Sequence, residues 1–340
     1  MKIRKRLWLT GGIAFVLLLV IIIITSIKQN SLYDQTFADR WSADEPMSQL
    51  TVIYPLAAGE KDDFYFMGLK HDILSKLSEN SDIEDYPDAV SIKGSIGLSR
   101  NGSQVNVTAY GVDRDFFLFH PVSLQYGSYL DSDDLMKDGI IIDKDIAWSL
   151  FGAFDVVGME VYVGDTSLLV KGVMDKPEGR LAEEAGLKDS TCFVSIGTLK
   201  NMGVEAGSYI YEAVLPNPVD GYGLKLMTDH YSGDDTIRIV ENSERYSDSN
   251  LRKVIGDFGL RSMNGNGYVY PYFENVARAW EDYFAIILLV RYILTGIILI
   301  VVGITLYDFI KSDIYKTLRK KRSILWERLK ESLQQHLPVL

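Results

Sequence analysis

An α+β domain held between two transmembrane helices is the fold class this sequence predicts. Three observations carry that expectation: two long apolar runs, an acidic stretch over residues 28–282 between them, and two β-α-β patterns inside that stretch.

Residues 7–27 hold no charged side chain, and crossing the hydrocarbon core of a bilayer as a helix takes about 20 apolar residues. Residues 284–307 form a second such run with a single charge, Arg291. The domain organisation expected from these runs is a cytoplasmic tail at 1–6, a transmembrane helix at 7–27 and a polar stalk at 28–49. A core domain follows at 50–282, then a second transmembrane helix at 283–307 and a basic cytoplasmic tail at 308–340. Lys2, Arg4, Lys5 and Arg6 precede the first run as they would in a signal peptide. The run is longer than the ~7–15 residues of a signal core, and no small-x-small cleavage site follows, so the expectation is an uncleaved anchor.

Basic residues flank both spans on the outer sides of the sequence, four before the first and eight after the second (Lys311, Lys316, Arg319, Lys320, Lys321, Arg322, Arg328 and Lys330). The positive-inside rule then places both ends in the cytoplasm and the large domain outside the plasma membrane. That domain carries 22 basic against 42 acidic residues, a net charge of −20. Such a field repels a phosphate polymer, which excludes nucleic acid as a partner and leaves cationic ligands open. Cys192 is the single cysteine, so no intrachain disulfide forms, as is ordinary for a bacterial extracytoplasmic domain. Asn101-Gly-Ser and Asn106-Val-Thr match a glycosylation sequon, and such triplets occur readily by chance.

Within the domain, residues 51–56 form a short buried strand. A helix over 63–79 follows, with Phe66, Leu69, Ile73 and Leu77 at helical spacing behind an Asp63 cap, and residues 88–93 alternate as a half-buried strand. Downstream, residues 209–215 read as a strand, 220–230 as a weak helix and 236–240 as an alternating strand. Two β-α-β units that each hide one sheet face imply a ferredoxin-like layer of helices on a sheet, interrupted by a strand-rich insert at about 96–204. In the insert, 161–173 reads as a hairpin turning at Gly164-Asp165, and 144–152 as a helix with Ile146, Leu150 and Phe151 on one face and Gly152 as its stop. Residues 251–258 place Leu251, Val254, Ile255 and Phe258 on one helical stripe.

Catalytic constellations are absent from the sequence. It has no phosphate loop, no H-E-x-x-H and no G-x-S-x-G, and no nucleophile and base can be paired, so neither an enzyme nor a cofactor is expected. His71, His120, His230 and His336 lack ligand spacing and read as surface or half-buried histidines. Residues 131–143 place Asp131 and Asp133 like the first ligands of a calcium loop. Leu135, Met136 and Ile142 stand where an acid or amide, a glycine and a glutamate are required, so a solvated acidic turn is expected.

Two segments remain as candidate contact sites. Arg291 lies about 10 Å inside the second span at 1.5 Å per residue, where it either snorkels outward or meets a partner helix. Gly296 and Gly303, seven apart on one face, would admit a close neighbour. In the tail, Ile310, Ile314, Leu318, Leu325 and Leu329 fall on one stripe with Trp326 beside it and basic residues largely off it. Such a helix either lies on anionic lipid or docks on a cytoplasmic protein.

NVTAYGVDRDFF (106–117), LQYGSYLDSDD (124–134), GIIIDKDIAWSLFG (139–152) and VVGMEVYVGDTSLLVKGVMD (156–175) together resemble the MacB-like periplasmic core domain of ABC-transporter permeases. The likeness is carried by Gly111, Val112, Phe116, Phe117, Gly127, Ala147, Phe151, Gly152, Gly158, Gly164, Gly172 and Val173, which are turn glycines and core residues. It implies a Porter-type part with an inserted Sabre-type subdomain, and a non-catalytic permease-like subunit of an ABC-type transporter or mechanotransmission complex. An ABC ATPase and another permease subunit are the implied partners, in a homo- or hetero-oligomer. Permeases of the family continue with two more helices, whereas this sequence stops 33 residues beyond Tyr307. Transfer of motion is therefore the role that carries over best. The alternative reading is a stand-alone, membrane-anchored receptor or regulator of envelope proteins.

Overall fold

The computed structural model describes residues 2–42, 45–78, 84–131, 136–176, 179–204, 207–259, 261 and 267–335. The chain divides into two compact units, one of Met1–Ile27 with Ile287–Leu340 and one of Lys28–Ile286.

The first unit contains the long helix α1 (Lys2–Asn30) up to Ile27 and, from Ile287 on, the last helix α10 (Tyr272–Gln335). Both are long and apolar enough to cross a membrane. Leu9, Ile13, Ile23 and Ile24 on one helix and Ile293, Leu299 and Ile300 on the other are exposed, as side chains meant for lipid are. The two helices pack closely where Gly11 meets Val301: a Cβ at Gly11 would stand 2.9 Å from the valine Cγ1. Ala14 and Val301 are buried there.

Among the described residues, the second unit is built on one ten-stranded sheet. Its strands are β1 (Met47–Ile53), β2 (Asp88–Arg100), β3 (Ser103–Arg114), β4 (Leu124–Gly127), β5 (Gly139–Asp143), β6 (Glu160–Val163), β7 (Thr166–Met174), β8 (Thr191–Ser195), β9 (Ile210–Pro216) and β10 (Arg238–Glu241). They run in the order β10-β1-β9-β2-β3-β8-β5-β7-β4, with β6 paired to β7 and touching β2 through Ser99 and Tyr162. The shorter helices are α2 (Phe37–Trp41), α3 (Asp63–Ser78), α4 (Phe116–Phe119), α5 (Lys144–Phe151), α6 (Arg180–Ala182), α7 (Ile196–Asn201), α8 (Tyr222–His230) and α9 (Asp248–Asp257).

The units β1-α3-β2 and β9-α8-β10 interleave, giving the antiparallel order fourth, first, third, second across four strands. Phe66, Leu69, Ile73 and Leu77 of α3 and Met227 of α8 cover one face of this part over Leu50, Val52, Tyr211 and Ala213. The strands between residues 96 and 204 continue the same sheet, beginning with β3, which pairs with β2, and then β8, which lies parallel to β3.

Several local expectations are corrected. Asp63 opens the first turn of α3, and its predecessor Asp62 accepts from the Tyr65 amide at 2.9 Å, so the capping carboxylate is one residue earlier. Residues 28–49 are not a free stalk: Phe37 and Ala38 are buried in the core, and residues 47–49 already belong to β1. The cause is a second apolar layer of aromatic rings on the opposite face of the sheet, in which Phe116, Phe119, Tyr270, Tyr272 and Phe273 pack on Ile53, Ala89, Tyr110 and Ile210. The sheet is therefore buried on both faces, and β2 begins as a fully buried strand rather than an alternating one. β2 also runs on to Arg100 and turns at Asn101-Gly102, both at positive φ, to pair along its whole length with β3. On α9 only Leu251 and Val254 of the predicted stripe are buried, while Phe258 is exposed.

α5 follows the sequence closely. The Asp143 carboxylate caps it through the Ile146 amide at 2.8 Å, and Gly152 ends it at φ +68°. Asp133 and Leu135 of the acidic turn lie outside the described residues, as does His336; Ile142 is a fully buried core residue of β5.

Candidate functional site

The first turns of α10 emerge from the aromatic layer with Glu274, Arg278 and Glu281 on one helical face. Arg245, in the turn after β10, reaches both carboxylates. Its Nη1 and Nη2 donate to the two oxygens of Glu274 at 2.7 Å each, and its Nε donates to Glu281 at 2.6 Å. The Arg245 side chain is 3 % exposed and that of Glu274 4 %. Burial alone would lower the arginine pKa; Glu274 and Glu281 outweigh it and hold the guanidinium well above its ordinary range. Arg261 adds a second donor to Glu281.

From Arg245 the hydrogen bonds continue into the sheet. Arg245 Nη1 donates to Asn242 Oδ1 at 3.0 Å, and Asn242 Nδ2 donates to Thr51 Oγ1 on β1 at 2.7 Å. The Thr51 hydroxyl donates to Glu212 on β9 at 3.1 Å. The other oxygen of Glu212 accepts from His120 Nε2 at 2.5 Å, and His120 Nδ1 donates to Asp34 at 3.0 Å. The Asp34 carbonyl accepts from Gln49 Nε2 at 2.6 Å, and Gln49 Oε1 accepts from the Phe37 amide, which closes the path on β1. One buried relay thus links the segment before β1, the strands β9 and β1, the end of β10 and the start of α10.

His120 is its central cation. The ring is 1 % exposed and stacks on Phe273 at 3.7 Å between centroids. Burial pulls its pKa down, but the charges and hydrogen bonds of Glu212 and Asp34 push it up to about 9, so it is protonated at neutral pH. This corrects the expectation of a surface or half-buried histidine: two carboxylates far away in sequence make a fully buried imidazolium tenable. His71 is exposed and His230 half-buried against Tyr231.

A second polar feature lies at the ends of β3 and β8. A cavity of about 200 Å³ is lined by Asp113, Arg114, Phe117, Tyr129, Lys137 and Ser195, among others. Phe117 and Tyr129 stack at 4.7 Å. Burial pushes the Asp113 carboxyl up to about 6, with the Lys137 ammonium 3.8 Å away.

The residues singled out in the sequence lie elsewhere. A Cβ at Gly296 or Gly303 would meet nothing within 4 Å, and the close helix approach inside the chain uses Gly11 instead. Arg291 is half-buried on the same helix. Ile310, Ile314, Leu318, Leu325 and Trp326 are exposed on helical backbone, while the side chain of Leu329 lies outside the described residues. Reasoning from sequence missed the relay, whose members are joined across as many as 191 positions, as Thr51 and Asn242 are. One signal was present: Glu212 and Glu274 are acids inside otherwise apolar runs, and a buried acid requires a partner.

The family described as the MacB-like periplasmic core domain matches residues 9–219. Among solved structures, the extracellular domain of the noncanonic ABC-type transporter YknZ from Gram-positive bacteria is similar at 18 % identity and a TM-score of 0.39, over 56 % of this chain and 99 % of that one. The periplasmic region of MacB from Actinobacillus actinomycetemcomitans is similar at 15 % identity and a TM-score of 0.43, over 62 % and 92 %. A domain of a putative permease protein from Porphyromonas gingivalis is similar at 12 % identity and a TM-score of 0.36, over 58 % and 92 %. No curated protein matches the chain.

Proposed function

The chain belongs to the MacB-like periplasmic core domain family, and from that premise we propose that it is a permease-like subunit that passes motion between a cytoplasmic ABC ATPase and its extracytoplasmic domain. The observation that carries this reading is the relay on α10. The helix that holds Glu274 and Glu281 in its first turns also contains the second apolar span and, beyond it, a basic segment. A buried, many-membered charge network fixes one geometry where a single apolar contact would allow several.

In this reading both termini are cytoplasmic, as the twelve flanking basic residues favour. The four interleaved strands with α3 and α8 correspond to the family's Porter-type part, and the strands from 96 to 204 to its Sabre-type insert. Ile314, Leu318, Leu325, Trp326 and Leu329 form the docking stripe for the ATPase, and the open sides of Gly296 and Gly303, with Arg291, face another permease subunit. The extracytoplasmic domain binds its ligand or partner in the cavity beside Asp113, where aromatic walls meet charges of both signs. No step of this role needs a catalytic residue.

The test is capture of an ABC ATPase from the same genome, co-expressed with the chain. The full chain should retain it, and Leu325→Asp should lose it. Capture by a chain ending at Lys311 equal to that by the full chain would overturn the docking role and favour a stand-alone receptor.

A further inference from the structure

Arg278 shares the face of α10 with Glu274 and Glu281 but is paired with neither. Those carboxylates are taken by Arg245 and Arg261. The Arg278 Nη1 atom is buried and has no hydrogen-bond partner, and its guanidinium stands 4.5 Å from the centre of the Tyr270 ring. A second arginine, Arg238 of β10, stands 6.0 Å from the same ring and donates to its hydroxyl. Among the described residues neither arginine has a carboxylate within ion-pair distance. Both line a cavity of about 340 Å³ whose acids are Glu274, Glu281 and Asp257, so once the relay is set aside two cations face one acid.

Two guanidinium groups held at one aromatic ring repel each other unless an anion lies between them. A buried N–H without an acceptor adds a desolvation penalty to that repulsion. From this geometry we infer that the cavity binds a phosphate oxyanion, which two guanidinium forks recognise through paired N–H···O bonds. Its source is the headgroup of an anionic phospholipid. Along the helix, Arg278 precedes the apolar run at Phe284 by six residues, or about 9 Å at 1.5 Å per residue. Headgroups fill a layer of roughly 5–8 Å beyond the hydrocarbon on each side, so the Arg278 backbone lies just past that layer, within reach of its long side chain. Trp280 and Tyr283, the residue types that collect in that layer, lie between, and Lys28 stands 4.5 Å over the Trp280 ring. A free phosphate in solution is repelled by a domain of net charge −20, whereas a lipid phosphate is held at this depth by its own chains.

The experiment uses the full chain in detergent, with phosphatidylglycerol or phosphatidylcholine of the same acyl chains added, and counts retained lipid by native mass spectrometry. Wild type should retain phosphatidylglycerol at least tenfold better than phosphatidylcholine, and R238Q/R278Q should lose that preference. Arg180→Gln, at an exposed pair with Glu184, should keep it. A parallel titration with inorganic phosphate separates the sources. Binding of phosphate but not of phosphatidylglycerol keeps the oxyanion site and overturns the lipid source. If wild type binds neither, or if a folded R238Q/R278Q chain keeps the full preference, the site does not exist. Circular dichroism establishes the folding of the double variant, and the wild-type arms decide the matter without it.

Discussion

The two halves of the sheet solve the same burial problem in different ways. In the half formed by β8, β5, β7 and β4, Ile140, Ile141, Ile142, Val170, Val173 and Val194 are fully buried, and the buried Asp143 carboxylate is satisfied by backbone amides alone, those of Ile146 and, on the neighbouring β8, Thr191. In the half formed by β10, β1 and β9, buried charges reach one another across strands and across the chain, from Asp34 through His120 and Glu212 to Arg245 and Glu274. Apolar packing tolerates small shifts and repacking. A relay of paired charges does not, because each displaced member leaves its partner desolvated and unpaired. The difference identifies the charged half as the part that fixes the first turns of α10, at Glu274 and Glu281, and the apolar half as the more adaptable one, which also borders the cavity beside Asp113.

The comparison breaks most sharply at Arg245. Replacing it with methionine leaves Glu274 and Glu281 buried without their main cation and should cost about 3–5 kcal/mol. For a domain of this size that lowers Tm by roughly 10 °C, which thermal denaturation followed by circular dichroism will measure. His120 comes next. Its pKa is raised in the folded state, so its contribution is complete below the unfolded value near 6.5 and is lost as pH rises through about 9. The loss across that window should be on the order of 3 kcal/mol. His120→Gln should be less stable than wild type at pH 6 and should lack the alkaline loss, as urea denaturation at several pH values will reveal.

Asp113 sharpens the contrast with the opposite sign. Burial raises this carboxyl in the folded state to about 6, so wild type loses stability from this group as pH rises from the unfolded value near 4 through 6. Asp113→Asn should therefore gain about 1–3 kcal/mol over wild type above pH 7 and nothing below pH 4. The smallest effect belongs to the apolar half, where Ile141→Val should cost about 1 kcal/mol, with no change in the pH profile.

How much of this was legible in the sequence depended on whether the information was local. α5 could be read residue by residue because its cap, its stripe and Gly152 lie within ten positions, and α3 because four apolar residues recur at helical spacing. The β2–β3 hairpin was as local, and Asn101-Gly102 is its signal. Asn101-Gly-Ser stands out first as a chance sequon match, and Gly94 and Gly97 weaken the strand pattern before that turn. The double burial of the sheet was not local, because it depends on Tyr270, Tyr272 and Phe273 returning from the far end of the domain to cover β1, β2 and β3. The relay lay furthest from view. Arg245 looks like any surface arginine until Glu274 and Glu281 arrive on one face of a helix that begins 27 positions later. Of the candidate contact residues, the glycine that matters inside the chain is Gly11, since its partner Val301 is visible only once the two helices are packed.

The central claim is that the relay acts as one unit from the sheet to the base of α10. A double-mutant cycle between Glu212→Gln and Glu281→Gln, read as the free energy of unfolding of the full chain, tests it most directly. The two carboxylates share no hydrogen-bond partner, and sites that act independently add within about 0.3–0.5 kcal/mol. Coupling through the relay predicts an interaction free energy above that, in the range of about 0.5–3 kcal/mol found for members of one network. Strict additivity of the two substitutions would contradict the account.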